Sequence, residues 1–323
     1  MRKLLACVVA CLPLAATAQP APEPITPTVP EWAEIETVVA TAAPGPALWH
    51  VTKGNSEVWI LGMIGNLPKG ITWNSTSLSE AMKGSRSVIT GPNASLGVGG
   101  VLSAGWLLIT NCCSFFRLDE GKLDDFLSPP TRAKLAAMRE SVGGDAKLYQ
   151  GDEPLRAAMR LGADFAEKHN LRGDNPMTVV MKLADTHDLK RQAASNFDPL
   201  PIAREALKLK PQQQLPCLEA EMEDIDRRVL HARPMAEAWA VGNIKGIKEH
   251  FSESRSLECI TAAVRTLGAV WQNRVPSIVA AIETALDNPG KTFAVVDMAS
   301  LLRKDGVLER LEKDGLTIEG PQE

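Results

Sequence analysis

The sequence predicts an α+β domain in which a small sheet, built from strands near both ends of the chain, packs against a large central helical region. Two observations predict it. Short β-prone runs cluster toward the two ends of the globular part, and the stretch from Asp152 to His250 shows helical patterns punctuated by prolines. Strands at both ends with helices between them imply a sheet assembled from distant parts of the chain.

The composition bounds the class of protein. The chain has 323 residues, a formal net charge of −4, 45% hydrophobic residues and 23% charged residues. These values exclude collagen-like, disordered and multispanning membrane proteins. The near-neutral charge also argues against a nucleic-acid binder, which needs a concentrated basic surface. Five histidines and one tyrosine leave few side chains for catalysis.

The N-terminus has the pattern of a secretory signal peptide. A positively charged start precedes an apolar run over residues 4–16, and Ala16-Thr17-Ala18 matches the small-x-small cleavage pattern. We therefore expect a cleaved signal peptide over residues 1–18 and a periplasmic or secreted protein. A lipoprotein anchored at Cys11 is a weaker alternative, because the apolar run before this cysteine would be very short.

The signal peptide is followed by a segment that reads as a tether. Residues 19–46 are rich in Ala, Pro and Thr, with one helix-like run over 31–39. A single domain is expected over residues 47–323. The apolar run over 101–110 has about half the length that a membrane span needs, so we expect a buried core helix there and no transmembrane helix in the mature chain.

The strands are predicted from short β-prone runs. Gly54-Asn55 separates two such runs and tolerates positive φ, which predicts a β-hairpin. The predicted strands cover residues 48–53, 57–64, 86–90, 292–296 and 316–318.

The helices are predicted from caps and breakers. Ser77 with Glu80 is a plausible capping box, and Ser128-Pro129 pairs a cap residue with the ring that fits a first turn. These signals predict helices that end at Gly84 and at Gly143-Gly144, helices that start near Pro154, Pro176, Pro199 and Pro211, and helices over 275–286 and 306–313.

The mature chain would keep four cysteines. Cys217 and Cys259 each lie in or beside a helical pattern, and an exported protein meets an oxidising compartment, so we predict a disulfide between them. The neighbours Cys112 and Cys113 form either a strained vicinal bridge or, as we favour, two small buried hydrophobic residues. The cysteine spacing matches no zinc finger.

Two stretches carry motif text. The first runs from Pro46 to Gly54 (PALWHVTKG) and on from Val58 to Pro68 (VWILGMIGNLP), and the second from Phe293 to Gly315 (FAVVDMASLLRKDGVLERLEKDG). Both resemble the TraB/GumN family, which is related to the Tiki membrane proteases and to the erythromycin-esterase-like and ChaN-like group. The resemblance implies a divalent-metal hydrolase site built from two GxxH motifs and a glutamate after the next strand.

The first half of that site departs from the family pattern. Gly62 keeps the first motif's glycine, but Gly65 stands where its histidine belongs. The expected glutamate falls at Thr90 or Gly91, and neither is a carboxylate. Glycine has no side chain to offer a metal, so these positions lose their ligands.

The second half departs in the same way. Asp297 replaces the second motif's glycine and Ser300 its histidine, while the family's Arg-Asn pair appears only as Asn273-Arg274. The resemblance therefore implies a degenerate site with no metal ligand and no cofactor. It predicts a non-catalytic protein that binds a peptide, protein or envelope component.

Two alternatives remain open. The first is an active metal-dependent hydrolase or peptidase with a rearranged site that uses Asp297, Ser300 and Arg303. The second is a structural partner in envelope assembly or polysaccharide export, for which the degenerate site is irrelevant.

The central histidines have ordinary explanations. Asp185, His187 and Asp188 could form an acid–base or metal cluster, but a solvated helix end is the favoured interpretation. The other three are expected on a helix surface or near helix C-termini: His169, His231 and His250.

Overall fold

The computed structural model describes residues 31–35, 38–39, 45–96 and 116–321. Three features considered above lie outside these residues: the signal peptide over 1–18, the apolar run over 101–110, and Cys112 with Cys113. No helix in the described ranges is long and apolar enough to cross a membrane.

The strands form one large mixed sheet and one small parallel pair. They are β1 (Val38–Val39), β2 (Leu48–Lys53), β3 (Ser56–Met63), β4 (Ser85–Thr90), β5 (Asn93–Ala94), β6 (Lys190–Ala193), β7 (Asn196–Phe197), β8 (Gly290–Asp297) and β9 (Thr317–Gly320). Within the described residues the large sheet has seven strands in the order β1-β9-β2-β3-β8-β4-β6, and β5 pairs with β7. The predicted sheet of N- and C-terminal strands is confirmed, with β6 added from the central region.

Most of the helices lie between the strands of the two ends. They are α1 (Thr76–Met82), α2 (Leu123–Phe126), α3 (Pro129–Ser141), α4 (Pro154–Lys168), α5 (Pro176–Thr186), α6 (Pro199–Ala206), α7 (Pro211–Ala240), α8 (Ile244–His250), α9 (Arg255–Ala263), α10 (Arg265–Gln272), α11 (Arg274–Leu286), α12 (Met298–Leu302) and α13 (Val307–Lys313). The four central helices α4 to α7 begin at the predicted prolines, because a proline at the first helical position loses no hydrogen bond there. The α+β fold is confirmed.

The strand directions bring several strand ends to one edge of the sheet. Strands β2 and β3 form the predicted hairpin, in which Lys53 pairs with Ser56 across Gly54-Asn55. Strands β3, β8, β4 and β6 run parallel to one another. Their C-terminal ends therefore lie on the same edge, where loops build binding sites in sheets of this kind.

Two separate groups of buried side chains support this arrangement. The larger packs helices against the sheet and includes Ile60 and Phe293. The smaller lies within the helical region, between α2, α3, α4 and α7. A disulfide between Cys217 and Cys259, with a Cα–Cα distance of 5.3 Å, joins α7 to α9 and confirms the predicted pairing.

Two local predictions are wrong. The helix-like run over 31–39 is not helical where it is described: Val38–Val39 form β1, which pairs with β9. The helix α1 begins at Thr76, so Ser77 lies inside the helix and not at its N-cap, and the Thr76 N–H donates to Asn74 Oδ1 over 2.9 Å. The backbone of β1 is satisfied by a distant strand, and the Thr76 N–H by a side chain two positions earlier.

The segment predicted as a tether contacts the domain. Trp32 forms an isolated bridge with Arg303 and an edge-to-face contact with Phe251 at 5.3 Å between ring centroids. The Ala33 N–H also donates to the Leu302 carbonyl over 3.0 Å. The domain boundary at residue 47 stays a prediction.

Candidate functional site

The motif positions singled out in the sequence lie on one edge of the sheet. In the β3–β8 pair, Gly62 is opposite Val296 and Met63 is opposite Asp297. In the β4–β8 pair, Ile89 is opposite Ala294, so Gly91 follows two residues later at the same edge. The strand register therefore brings together both motifs and the position, at Thr90 or Gly91, where the family pattern has its glutamate.

Gly62 and Gly65 serve different purposes at this edge. A Cβ on Gly62 would lie 2.6 Å from Met298 Cε, so the glycine lets α12 pack closely on β3. The buried Trp239 donates its indole N–H to the Gly62 carbonyl over 2.7 Å and fixes the end of the strand. A Cβ on Gly65, in contrast, would meet nothing within 4 Å.

Asp297 has a structural role and a cationic neighbour. Its Oδ1 accepts a hydrogen bond from the Ser300 N–H over 2.9 Å and so caps α12. Its Oδ2 lies 3.5 Å from Arg274 Nε. The Arg274 side chain is only 12% exposed and covers the Trp271 ring at 3.6 Å. Burial lowers the pKa of Arg274, and the charge of Asp297 opposes that shift.

The side chains of Ser300 and Arg303 are also held within the structure, one by burial and the other by an ion pair. Ser300 is 0% exposed, and its Oγ has no hydrogen-bond partner. The Arg303 guanidinium is ion-paired with Glu253. A serine nucleophile must reach its substrate and lie within hydrogen-bond distance of a base, and Ser300 does neither.

The comparison with known families decides the identity of the scaffold. The sequence model of the TraB/PrgY/gumN family matches residues 47–320. The chain belongs to the TraB/PrgY/gumN family. The resemblance drawn from the two motif stretches is thus confirmed. No curated protein and no solved structure matches the chain.

The side chains of this TraB/PrgY/gumN chain do not fit a divalent metal at the motif positions. Gly65 and Gly91 offer no donor, and the buried Ser300 hydroxyl is a poor ligand beside imidazole. The one carboxylate there, on Asp297, already faces the Arg274 guanidinium. Across the described ranges, no group of three or more His, Cys, Asp and Glu could hold a metal ion.

A pocket of about 420 Å³ opens beside Gly65, between α4, α7 and the end of β3. Its apolar lining includes Ile64, Met159, Ala163, Leu171 and Met235. The polar lining residues are Asn66, Arg172, Glu221 and Arg228.

The charges of the pocket leave a positive balance. Glu221 is paired with Arg228 at 2.7 Å and also accepts a hydrogen bond from Ser256 Oγ over 2.7 Å. Arg172 is exposed and brings a second guanidinium. A pocket of this size, with apolar side chains beside a positive charge, suits a small apolar group that carries or adjoins a negative charge.

Two of the histidines expected near helix ends, His187 and His169, make ordinary contacts with neighbouring side chains in this TraB/PrgY/gumN chain. His187 Nε2 lies 3.1 Å from Ser79 Oγ, and Asp185 pairs with Arg191 at 2.6 Å. His169 follows the last residue of α4 and stacks on Phe165. His187 and Asp185 therefore have different partners and do not form an acid–base pair with each other at the end of α5.

One pair of histidines was missed in the sequence. His231 on α7 and His250 at the end of α8 approach each other, with 3.4 Å between their Nδ1 atoms. Nineteen positions separate them, and no short motif relates them. Only the turn between the two helices, where Gly242 has a φ of 71°, brings them together.

Proposed function

We propose that this chain is an exported TraB/PrgY/gumN protein with a degenerate metal-hydrolase site, which binds a peptide, protein or envelope component without cleaving it. The observation that carries the proposal is the state of the motif positions. The Asp297 carboxylate caps α12 and faces Arg274, while Gly65 and Ser300 supply no exposed donor. A metal-activated water needs several such donors around the ion.

The same contacts speak against a rearranged hydrolase. Ser300 is out of reach of a substrate, and the Arg303 guanidinium is engaged by Glu253. Asp297 Oδ1 caps α12, and its Oδ2 lies 3.5 Å from Arg274 Nε. A rearranged site would have to give up such contacts at a cost in stability, so binding is the simpler use of this edge.

The pocket beside Gly65 supports a peptide as the ligand. Its volume of about 420 Å³ accommodates one large apolar side chain, and apolar side chains line part of its wall. Arg172 provides a partner for a carboxylate of the same peptide. We therefore expect a preference for an apolar residue next to an acidic residue or a C-terminal carboxylate.

Export is supported by the cysteine pair. A disulfide between Cys217 and Cys259 persists in an oxidising compartment and is rare in a reducing one. Together with the signal-peptide pattern over 1–18, this favours a periplasmic or secreted protein. N-terminal sequencing of the protein recovered outside the cytoplasm tests it, and a start at residue 19 is expected.

The binding proposal is tested by retention of peptides on the immobilised chain. A proteolytic digest of envelope proteins is passed over it, and the retained peptides are identified by mass spectrometry. Gly65→Trp fills the pocket at a position with free space, and Gly91→Trp is the matched control at the same sheet edge, outside the pocket lining. Intact peptides retained by the starting chain and the Gly91 variant, but lost in the Gly65 variant, are expected. Shortened products would overturn the non-catalytic assignment, and equal retention by both variants would overturn the pocket.

A further inference from the structure

His231 and His250 approach each other with the geometry of two ligands of one ion. Their Nδ1 atoms are 3.4 Å apart, and their ring centroids are farther apart, at 5.6 Å. The two nitrogens therefore lie on the facing edges of the rings. Both side chains are half-buried and line a second pocket of about 220 Å³.

The distance between the nitrogens is long for a direct hydrogen bond and also fits two ligands of one ion. Hydrogen bonds from ring N–H groups have typical donor–acceptor distances of about 2.7–3.2 Å, which is shorter than the distance observed. Two imidazole nitrogens that bind the same tetrahedral zinc at about 2.0–2.1 Å lie about 3.3–3.4 Å apart. The observed separation of 3.4 Å agrees with the second arrangement.

The second pocket is lined by two carboxylates, on Asp224 and Glu253, and by one guanidinium, that of Arg228. Asp224 is ion-paired with Arg227 and accepts hydrogen bonds at the start of α9, and Glu253 is ion-paired with Arg303, so both carboxylates are held in place. In the part of the chain that the structure describes, no third His, Cys, Asp or Glu completes a ligand set. An ion here would have two protein ligands, one fewer than an open zinc site has, and water would take the remaining positions.

We propose that His231 and His250 form a two-imidazole site for a divalent transition-metal ion such as Zn²⁺ or Ni²⁺. Imidazole is a good ligand for both ions. The site is separate from the family's motif positions, because neither Gly65 nor Ser300 lines this pocket. This metal site does not depend on whether the pocket beside Gly65 binds a peptide.

The test measures metal binding by the full mature chain, made without an affinity tag and stripped with a chelator. The background carries Cys112→Ser and Cys113→Ser, so that thiols outside the described residues do not bind the ion. Zn²⁺ and Ni²⁺ are each titrated by calorimetry into this chain and into His231→Gln and His250→Gln variants. His187→Gln is the matched control, since His187 is also half-buried and contacts one side chain.

One equivalent of metal is expected for the background chain and for the His187 variant. Loss of either proposed ligand should weaken binding at least about tenfold, because even outer contacts of a metal site are worth that much. Zn²⁺ should also raise the melting temperature of the background chain and the control, but of neither ligand variant. Absence of binding in the background chain would overturn the proposal, as would equal affinity in all three histidine variants. Circular dichroism confirms that each variant is folded.

Discussion

Gly306 gives the sharpest test of how the C-terminal motif is used. It precedes α13, and a Cβ there would lie 2.5 Å from the Arg303 carbonyl oxygen and 2.7 Å from the Ser300 carbonyl oxygen. Both obstacles are backbone atoms, so no side-chain rotation relieves the clash. The φ of −76° is allowed for alanine, and strain in the dihedral adds nothing. The glycine of this motif therefore serves close packing beside the site and not chemistry.

The cost of Gly306→Ala follows from that geometry. Overpacking a rigid site costs about 1–3 kcal/mol, and alanine is a poorer helix N-cap than glycine. We expect a loss of about 2–3 kcal/mol in the free energy of unfolding. In a domain of this size each kcal/mol lowers the melting temperature by about 2–4 °C, which predicts a decrease of roughly 4–12 °C.

The control is the same substitution at Gly65, where a Cβ meets nothing within 4 Å. Gly65→Ala should change the free energy of unfolding by about 0.5 kcal/mol or less. Urea unfolding followed by circular dichroism gives the free energies, and thermal melting gives the temperatures. A Gly306 variant as stable as the starting chain, or a Gly65 variant equally destabilised, would show that close packing does not require the glycine at 306.

Three further predictions concern the stability of the domain. Reduction of the bond between Cys217 and Cys259 should lower the free energy of urea unfolding by roughly 2–4 kcal/mol, and an unchanged midpoint in dithiothreitol would contradict this. Trp239→Phe leaves the carbonyl at the end of β3 without its donor, which should cost about 1–3 kcal/mol in the same assay; no loss would contradict the indole hydrogen bond. Burial acts to raise the pKa of Asp124, but hydrogen bonds from Arg139 and a neighbouring amide outweigh it and lower the pKa. The stabilisation from the ionised carboxylate is present above the ordinary pKa range of a carboxyl group and is lost as pH falls through the lowered pKa. Asp124→Asn leaves the Arg139 guanidinium, which is 2% exposed, without its charged partner. It should therefore lower the free energy of unfolding strongly at pH 7 and less in acid. An equal effect at both pH values would refute that pairing.

Much of the fold could be predicted because its signals are local. The hairpin across Gly54-Asn55 depends on residues that accept positive φ, and the central helices begin at prolines. Strand β6 could not be predicted, because Lys190–Ala193 is an edge strand with mostly exposed side chains and no apolar alternation. Its partner β4 supplies the pairing, which is a property of the assembled sheet.

The site divides in the same way. The resemblance placed Gly65, Gly91 and Ser300 in one motif set, and the register of three parallel strands brings their strand ends to one edge. The approach of Arg274 to Asp297 could not be read from the sequence, because it depends on how α11 packs beside β8. That contact decides the charge of the site, and with it the argument against a metal.

Whether the family's hydrolase chemistry is absent from this chain is measured most directly by turnover. The purified chain is supplied with Mn²⁺, Co²⁺ or Zn²⁺ and assayed for cleavage of peptide substrates, beside the Asp297→Ala variant. Turnover is the readout because metal content alone would also count an ion held by His231 and His250. We expect cleavage no faster than the blank in both proteins. Metal-dependent cleavage by the starting chain that Asp297→Ala abolishes would show that the hydrolase chemistry is present.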